Sequence, residues 1–207
     1  TRCLLAGGRD IGASGAAVRR STAVIVTERL MLHTLSPPLV ARLAAGDWEA
    51  ARATDPPYDI SDETFIADEH VLLLRQAQLA KDPGEEPWLL RVAVLKGTRQ
   101  VVGRVGFHQP PDVEGVVEIG YSVTPRFRRQ GFAVEMAEGL IAWAASRGCS
   151  ACLASARPDN AASLATIAKL GFVKIGEQMD EIDGLEWVHR LELGPGGRHG
   201  LEAESPE

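Results

Sequence analysis

The order of strand and helix patterns in the second half of the chain constrains the fold most. Apolar segments at 88–95, 101–108 and 115–123 follow one another closely, and the Lys-Gly-Thr turn at 96–98 is typical of a hairpin. The pattern then changes to helix, strand, helix, and two strands close it. Short strands interleaved with helices predict a mixed α/β domain whose helices pack on a central sheet.

The other predicted elements follow from the same kinds of pattern. Residues 22–35 predict a strand that is broken near Thr27-Glu28-Arg29, and 36–46 predicts a short helix with Ser36 as its N-cap. Ser61 is expected to cap a longer helix over 62–79, where apolar residues recur every seven positions. The later elements are helices at 131–147 and 160–170, a strand at 151–156, and a final hairpin that turns at Asp183 and Gly184.

Composition argues against several classes of protein. A net charge of −6 argues against a general nucleic-acid binder. No apolar run approaches the roughly 18 residues that span a bilayer, so no membrane partner is expected. Three cysteines give no disulfide framework and favour a cytoplasmic location. Cys149 and Cys152 have the spacing of a redox pair or half a zinc site. Incidental core residues are the preferred interpretation, and no metal is expected.

The two ends of the chain are expected to lie outside the folded domain. Residues 1–21 contain an apolar stretch too short for a signal peptide and are predicted to form a disordered extension. Residues 194–207 are rich in Gly, Pro and Glu and are predicted to be a loose tail. A single domain is therefore expected over 22–193, as a monomer or a homodimer.

The basic stretch RFRRQGFA, residues 126–133, stands where a strand passes into a helix. A helix N-terminus carries unpaired amides and a partial positive charge, and Gly131 would let a ligand approach the backbone closely. The arginines would add charge-assisted contacts, so the stretch suits a pyrophosphate. A basic surface turn that caps the helix explains the same residues equally well.

Three motifs in this order resemble the GNAT N-acetyltransferase superfamily. Its signature, [Q/R]-x-x-G-x-[G/A], is matched by residues 128–133. A second motif is matched by Asn160, Ser163 and the Leu-Gly-Phe helix end at 170–172. The early TERLMLHTL resembles the opening of the branch that contains the RimJ and RimL ribosomal-protein-alanine acetyltransferases. The resemblance implies an α/β (α+β) fold, with a mixed, mostly antiparallel sheet of about seven strands flanked by four helices.

The resemblance also implies a function and a set of cofactor-binding residues. The chain would be an acetyl-CoA-dependent N-acetyltransferase in which a primary amine attacks the thioester directly. A non-catalytic acyl-CoA-binding domain is the alternative. Backbone amides of the signature would hold the pyrophosphate, and the Val123 amide would polarise the thioester carbonyl. The implied cofactor-binding residues are Tyr121, Val123, Arg128, Arg129, Gln130, Gly131, Ala133, Asn160 and Ser163. Asn160 suits a helix N-cap equally well.

Two residues are the catalytic candidates. Glu118 interrupts an apolar strand, and the E-x-G-Y string is typical of this branch, in which the carboxylate points towards the acceptor cleft. It is the predicted base, with an outward-facing strand residue as the alternative. Ser163 is the predicted proton donor to the thiolate, because Ile167 occupies the position where one branch of the family has a tyrosine. Tyr121 is a weaker candidate for this donor, and a mechanism without an acid is also compatible.

The acceptor is predicted only as an amine, either a protein N-terminus or a small molecule. Acidic residues near the second helix and the last hairpin would favour a cationic acceptor if they faced the cleft, although solvated turns explain them as well. These residues are Asp59, Asp62, Glu63, Asp180, Glu181 and Asp183. His108 and His189 are predicted to be structural, and Trp88 and Trp187 to pack in the core or at its rim.

Overall fold

A computed structural model describes residues 24–54, 56–65 and 69–194, apart from the side chains of Asp62 and Glu69. The predictions for 1–21, and for the tail beyond 194, lie outside the described residues. Within the part that is described, none of the helices has the length and apolar character that a bilayer crossing requires.

Eight strands form one sheet in the described residues, with the order β1-β2-β3-β4-β5-β6-β8-β7. The strands are β1 (Ile25–Val26), β2 (Leu30–Thr34), β3 (Arg91–Leu95), β4 (Val101–Phe107), β5 (Val116–Val123), β6 (Ala151–Ala156), β7 (Val173–Asp180) and β8 (Gly184–Glu192). All neighbouring strands pair antiparallel except β5 and β6, which are parallel. The predicted mixed, mostly antiparallel sheet is confirmed.

Strands β5 and β6 diverge partway along their length. Their pairing begins at Val116 opposite Ala151 and ends at Glu118 opposite Leu153. Beyond that point β6 continues beside β8 and β5 continues beside β4. The sheet therefore opens between the C-terminal halves of its two parallel strands, and this opening positions the candidate site.

Helices cover both faces of the sheet. They are α1 (Pro37–Ala44), α2 (Trp48–Arg52), α3 (Glu69–Lys81), α4 (Phe132–Ser146) and α5 (Ala161–Lys169). Side chains of α4 and α5 share one apolar core with the sheet, and side chains of α1, α2 and α3 share another. Strand β3 shows why there are two cores: Ala93 belongs to the first, whereas Val92 and Val94 belong to the second.

The predicted helix over 62–79 is wrong at its beginning. Asp62–Thr64 forms a 3-10 helix, and α3 is described from Glu69. Phe65 is buried, and its ring centroid lies 6.4 Å from that of Trp48, so tertiary packing fixes this turn. The short helix α2 was not predicted. Asp47 caps it by accepting a hydrogen bond of 3.0 Å from the Ala50 amide.

Candidate active site

The opening between β5 and β6 forms a cleft of about 800 Å³, which lies within the range of small-molecule sites. Its walls are the end of β5, the turn that leads into α4, the first turn of α4, and α5. Of the nine predicted cofactor-binding residues, the cleft is lined by all except Gln130. Gln130 instead donates from Nε2 to the Arg126 carbonyl at 3.4 Å.

The edge of β5 offers backbone groups to this cleft. The Thr124 amide bonds to the Val102 carbonyl and the His108 amide to the Glu118 carbonyl, at 3.0 and 2.8 Å, so even-numbered residues of β5 pair with β4. By the alternation of a strand, the amides of Tyr121 and Val123 point to the other side, where β6 has diverged. The Val123 carbonyl already accepts a hydrogen bond of 3.1 Å from Arg128 Nε.

The N-terminus of α4 closes one end of the cleft. Gly131 is the N-cap residue with φ of 82°, and Arg129 also has a positive φ, of 63°. The Glu135 amide makes the bond back to the Gly131 carbonyl, so the amides before it have no partner within the helix. Three basic residues line the same cleft: Arg128 and Arg129 in the turn before α4, and Lys169 at the end of α5. Such an arrangement can hold a phosphate group.

Arg29 supports this helix end and was missed in the sequence. Its backbone amide and its Nε each donate to the Glu135 carboxylate at 2.6 Å, and Thr27 Oγ1 donates to the same carboxylate at 2.7 Å. Arg29 also donates from Nη1 to the Gln130 carbonyl at 3.0 Å and lies 4.4 Å from the centroid of the Phe132 ring. The TERL segment thereby fastens the turn at 128–131 to the first turn of α4.

A small polar cluster joins β5 to α5 inside the cleft. The Tyr121 hydroxyl lies 3.3 Å from Ser163 Oγ, and Asn160 Oδ1 accepts a hydrogen bond of 3.1 Å from the Ser163 amide. Asn160 is therefore the N-cap of α5 as well as part of the cleft wall. Burial raises the pKa of Tyr121, and the hydrogen bonds to Ser163 and Thr166 offset this only in part. Ile167 is buried in the core, so its position does not face the cleft.

Glu118 lies on the opposite face of β5. Ser155 Oγ donates to its Oε1 at 2.6 Å, and His108 Nδ1 lies 3.5 Å from its Oε2. Burial alone would raise the pKa of Glu118, but the His108 and Ser155 hydrogen bonds and the His108 charge hold that pKa below its usual value. The carboxylate is a quarter exposed and bonded on both oxygens, so it is not simply a solvated strand residue. His108 is thus not an isolated histidine.

Of the acidic residues that could attract a cationic acceptor, Asp180 lies near Glu118, whereas Asp59 and Glu63 pair with arginines elsewhere. Asp180 is close enough to interact electrostatically with His108 and Glu118, while its Oδ1 accepts from the Ile182 and Asp183 amides at 2.7 and 2.8 Å. Asp59 pairs instead with Arg99, at 3.0 Å. Glu63 Oε2 lies 3.6 Å from Arg126 Nε, beside the turn into α4.

Three further residues considered in the sequence, His189, Cys149 and Cys152, are buried. His189 is buried, with Nδ1 3.1 Å from the Trp187 carbonyl. Cys149 and Cys152 are both free and buried, and burial raises the pKa of each thiol, as expected for core residues rather than a redox pair. No group of three or more metal-ligating side chains occurs among the described residues.

Comparisons with known proteins show the family to which this chain belongs. The family described as Acetyltransferase (GNAT) domain matches residues 29–173. The Bacillus subtilis protein named uncharacterized N-acetyltransferase YjdG is 33% identical over 153 residues, which cover 72% of this chain and 89% of that protein.

Two solved structures show the same fold. The ribosomal-protein-S5-alanine acetyltransferase of Vibrio fischeri has a TM-score of 0.58 and 18% identity, covering 85% of this chain and all of the other. RimL, a ribosomal L7/L12 α-N-protein acetyltransferase solved in complex with coenzyme A, has a TM-score of 0.59 and 15% identity, covering 84% of this chain and 100% of the other.

Proposed function

Because this chain belongs to the GNAT acetyltransferase family and is an acetyl-CoA-dependent N-acetyltransferase, we propose that the cleft between β5 and β6 is its acetyl-CoA site. The observation that carries this proposal is the end of β5–β6 pairing at Glu118, after which the last residues of β5 line one cleft together with the first turn of α4. A strand edge, a helix N-terminus and basic side chains then line one cleft of suitable volume.

The residues of the cleft fit the parts of acetyl-CoA. The outward amides of Tyr121 and Val123 suit an extended amide-bearing chain such as the pantetheine arm, which would add to the strand edge. The positive φ of Gly131 and the unpaired amides of the first turn of α4 suit the pyrophosphate. Arg128 uses Nε, its innermost donor, for the Val123 carbonyl, which leaves its terminal nitrogens to a phosphate oxygen.

The same residues can support acyl transfer. The Val123 amide would donate to the thioester oxygen as negative charge develops there. The hydroxyl of Tyr121, whose raised pKa keeps it protonated at neutral pH, lies 3.3 Å from Ser163 Oγ, and this pair would return a proton to the departing thiolate. Glu118 and Asp180 place negative charge on the acceptor side, which favours a cationic amine.

We therefore propose that the acceptor is a primary amine that approaches from the face of β5 that carries Glu118. A protein N-terminus is the favoured acceptor, because two structures that share the fold are named as acetyltransferases of ribosomal proteins. A small cationic amine is the second candidate, and the negative charge of Glu118 and Asp180 supports it equally well.

Two measurements test the proposal. First, calorimetry with acetyl-CoA compares Gly131→Asp with Gly46→Asp. Both glycines have positive φ, but a Cβ added at Gly46 would meet no atom within 4 Å, and Gly46 does not line the cleft. Gly131→Asp is expected to weaken binding at least about 100-fold by placing a carboxylate beside the pyrophosphate, and Gly46→Asp to leave it unchanged. Equal affinities would remove acetyl-CoA from this cleft.

Second, thiol release from acetyl-CoA is followed with peptides that begin with alanine or serine, with spermidine, and with free amino acids. Release with a peptide alone favours the protein N-terminus, and release with spermidine alone favours the small amine. Tight acetyl-CoA binding without release from any of these amines would instead support the non-catalytic acyl-CoA-binding alternative.

A further inference from the structure

His108 and Glu118 form a pair on the acceptor face of the sheet. His108 follows the end of β4, and its Nδ1 lies 3.5 Å from Glu118 Oε2. The second carboxylate oxygen of Glu118 is already engaged, because Ser155 Oγ donates to Oε1 at 2.6 Å. Glu118 is therefore held from both sides, and the side chain that extends the pair towards solvent is the imidazole of His108.

The backbone of His108 is fixed by three hydrogen bonds. Its amide donates to the Glu118 carbonyl at 2.8 Å. Its carbonyl accepts from Arg75 Nη1 at 2.6 Å and from Gln78 Nε2 at 2.8 Å, both on α3. Arg75 is 5% exposed, whereas the His108 side chain is 51% exposed. The ring is thus accessible to an acceptor while its backbone is firmly placed.

Gly120 gives the imidazole its position over β5. A Cβ at residue 120 would lie 3.1 Å from His108 Nε2, so the ring occupies space that a side chain would otherwise need. Gly120 immediately precedes Tyr121, where the amides of β5 begin to face the cleft. Nε2 therefore lies over β5 at Gly120, one residue before the first residue of this strand that lines the cleft.

We propose that His108 is the base that takes the proton from the acceptor amine, and that Glu118 is a positioning residue that acts through it. This inference rests on the acetyl transfer proposed above and names the group that activates the amine. With Nδ1–H donated to Glu118, the neutral ring presents the Nε2 lone pair to the acceptor. Negative charge on Glu118 then stabilises the imidazolium that forms.

The acceptor nitrogen loses two protons during the transfer. Nε2 of His108 takes one proton from the ammonium group of the acceptor, which leaves a neutral amine. The amine nitrogen forms a bond to the thioester carbonyl carbon, the carbon–sulfur bond breaks, and its electron pair leaves with the sulfur of coenzyme A. The second proton lost from nitrogen passes to the thiolate by way of the Tyr121–Ser163 pair, and the imidazolium returns its proton to water.

The charges around the ring favour this assignment. Glu118 on β5 and Asp180 on β7 both interact with His108, and both would attract a cationic acceptor. On α3, the guanidinium of Arg75 bonds to the His108 carbonyl, and His70 interacts with Asp180. The charged groups that the two strands bring to the ring are thus anionic.

The test compares His108→Gln with His33→Gln, which replaces a histidine on β2, near Tyr58 and separated from β5 by the strands β3 and β4. The probes are spermidine and a peptide that begins with alanine. His108→Gln is expected to lower kcat at least about 100-fold, to remove the fall of kcat at acid pH, and to leave the acetyl-CoA Kd unchanged. His33→Gln is expected to retain the wild-type rate.

Wild-type kcat and pH profile in His108→Gln would overturn the role of His108 and leave acetyl transfer standing. A wild-type chain that acetylates neither probe nor any amine of the wider panel would overturn both proposals.

A second measurement does not depend on turnover or on the folding of His108→Gln. Nitrogen-15 spectra of the wild type, at a pH where the ring is neutral, are expected to show His108 protonated at Nδ1. In Glu118→Ala the population is expected to shift towards the tautomer protonated at Nε2, because the acceptor for Nδ1–H is gone. A ring protonated at Nε2 in the wild type, or an unchanged tautomer in Glu118→Ala, would refute the pairing.

Discussion

Replacement of Glu135 by glutamine tests how the N-terminal TERL segment supports the cofactor cleft. The Glu135 carboxylate accepts three hydrogen bonds, from Thr27 Oγ1, from the Arg29 amide and from Arg29 Nε. A hydrogen bond to a charged group contributes about 1.5–3 kcal/mol. The Arg29 side chain is 42% exposed, so solvent screening reduces the ion-pair part to about 1 kcal/mol or less. Glutamine retains one acceptor oxygen but turns an NH₂ group towards a donor.

The net loss expected for Glu135→Gln is about 2 kcal/mol in the free energy of unfolding. For a domain of this size that corresponds to a fall in Tm of about 4–8 °C. Because Arg29 also holds the Gln130 carbonyl, the turn before Gly131 should loosen, and acetyl-CoA affinity should fall about tenfold. Thermal unfolding and calorimetry at pH 7 measure both effects. The matched control is Glu138→Gln, an exposed glutamate one turn further along the same helix, for which no change is expected.

The pH dependence of this difference has a definite sign. Burial alone would raise the pKa of Glu135, but the hydrogen bonds from Thr27 and Arg29 and the Arg29 charge hold that pKa below its usual value. A depressed pKa adds stability above the unfolded-state pKa, and this stability is lost as the pH falls through the folded-state pKa. The gap in Tm between the wild type and Glu135→Gln should therefore be full at pH 7 and narrow below about pH 4.5. A gap that is absent at pH 7, or that does not narrow in acid, would show that the bonds to the Glu135 carboxylate do not stabilise the fold.

Three further substitutions test two proposed catalytic residues and one close backbone contact. Tyr121→Phe should lower kcat about tenfold with little effect on the acetyl-CoA Kd, measured by thiol release and calorimetry, if the hydroxyl passes a proton to the thiolate. Glu118→Gln should lower kcat with unchanged cofactor affinity, and an unchanged rate would remove Glu118 from any role. Gly106→Ala should cost more than about 3 kcal/mol in thermal or denaturant unfolding, because its Cβ would overlap the Leu89 carbonyl oxygen. Gly176→Ala, whose Cβ has open space, should leave stability within about 1 kcal/mol of the wild type, and equal losses in the two would contradict the clash.

Local sequence patterns predicted most of the residues that the structure brings together in the cleft. The strand at 115–123, the glycine that begins α4 and the Asn160 cap of α5 are each determined by residues close together in the chain. Their order was enough to bring eight of the nine predicted residues to one cleft. Gln130 was the exception, since the direction of a side chain in a turn depends on its dihedral angles, which the motif does not specify.

Contacts between distant residues were not predictable in the same way. Arg29 and Glu135 are 106 positions apart, and no periodicity connects them. Asp59 and Glu63 were grouped by their charge, yet the fold pairs the first with Arg99 and the second with Arg126. The pairing of His108 with Glu118 is intermediate. The antiparallel register of β4 and β5 places these two residues opposite each other. Assignment of that register from the sequence would therefore have predicted the pair.

The alternation of β5 places different side chains on its two faces, and the proposed sites for acetyl-CoA and for the acceptor lie on these two faces. The side chains of Tyr121 and Val123 line the cofactor cleft, whereas Glu118 lies beside His108 and Ser155 on the other face. In an intact sheet the two faces would be separated by paired backbone. Here the pairing with β6 ends at Glu118, so the faces communicate through the gap immediately beyond the predicted acceptor residues. A shift of one residue in the register of β5 would exchange the two sets of side chains. The bond from the His108 amide to the Glu118 carbonyl therefore fixes the register at the two residues that we propose activate the acceptor.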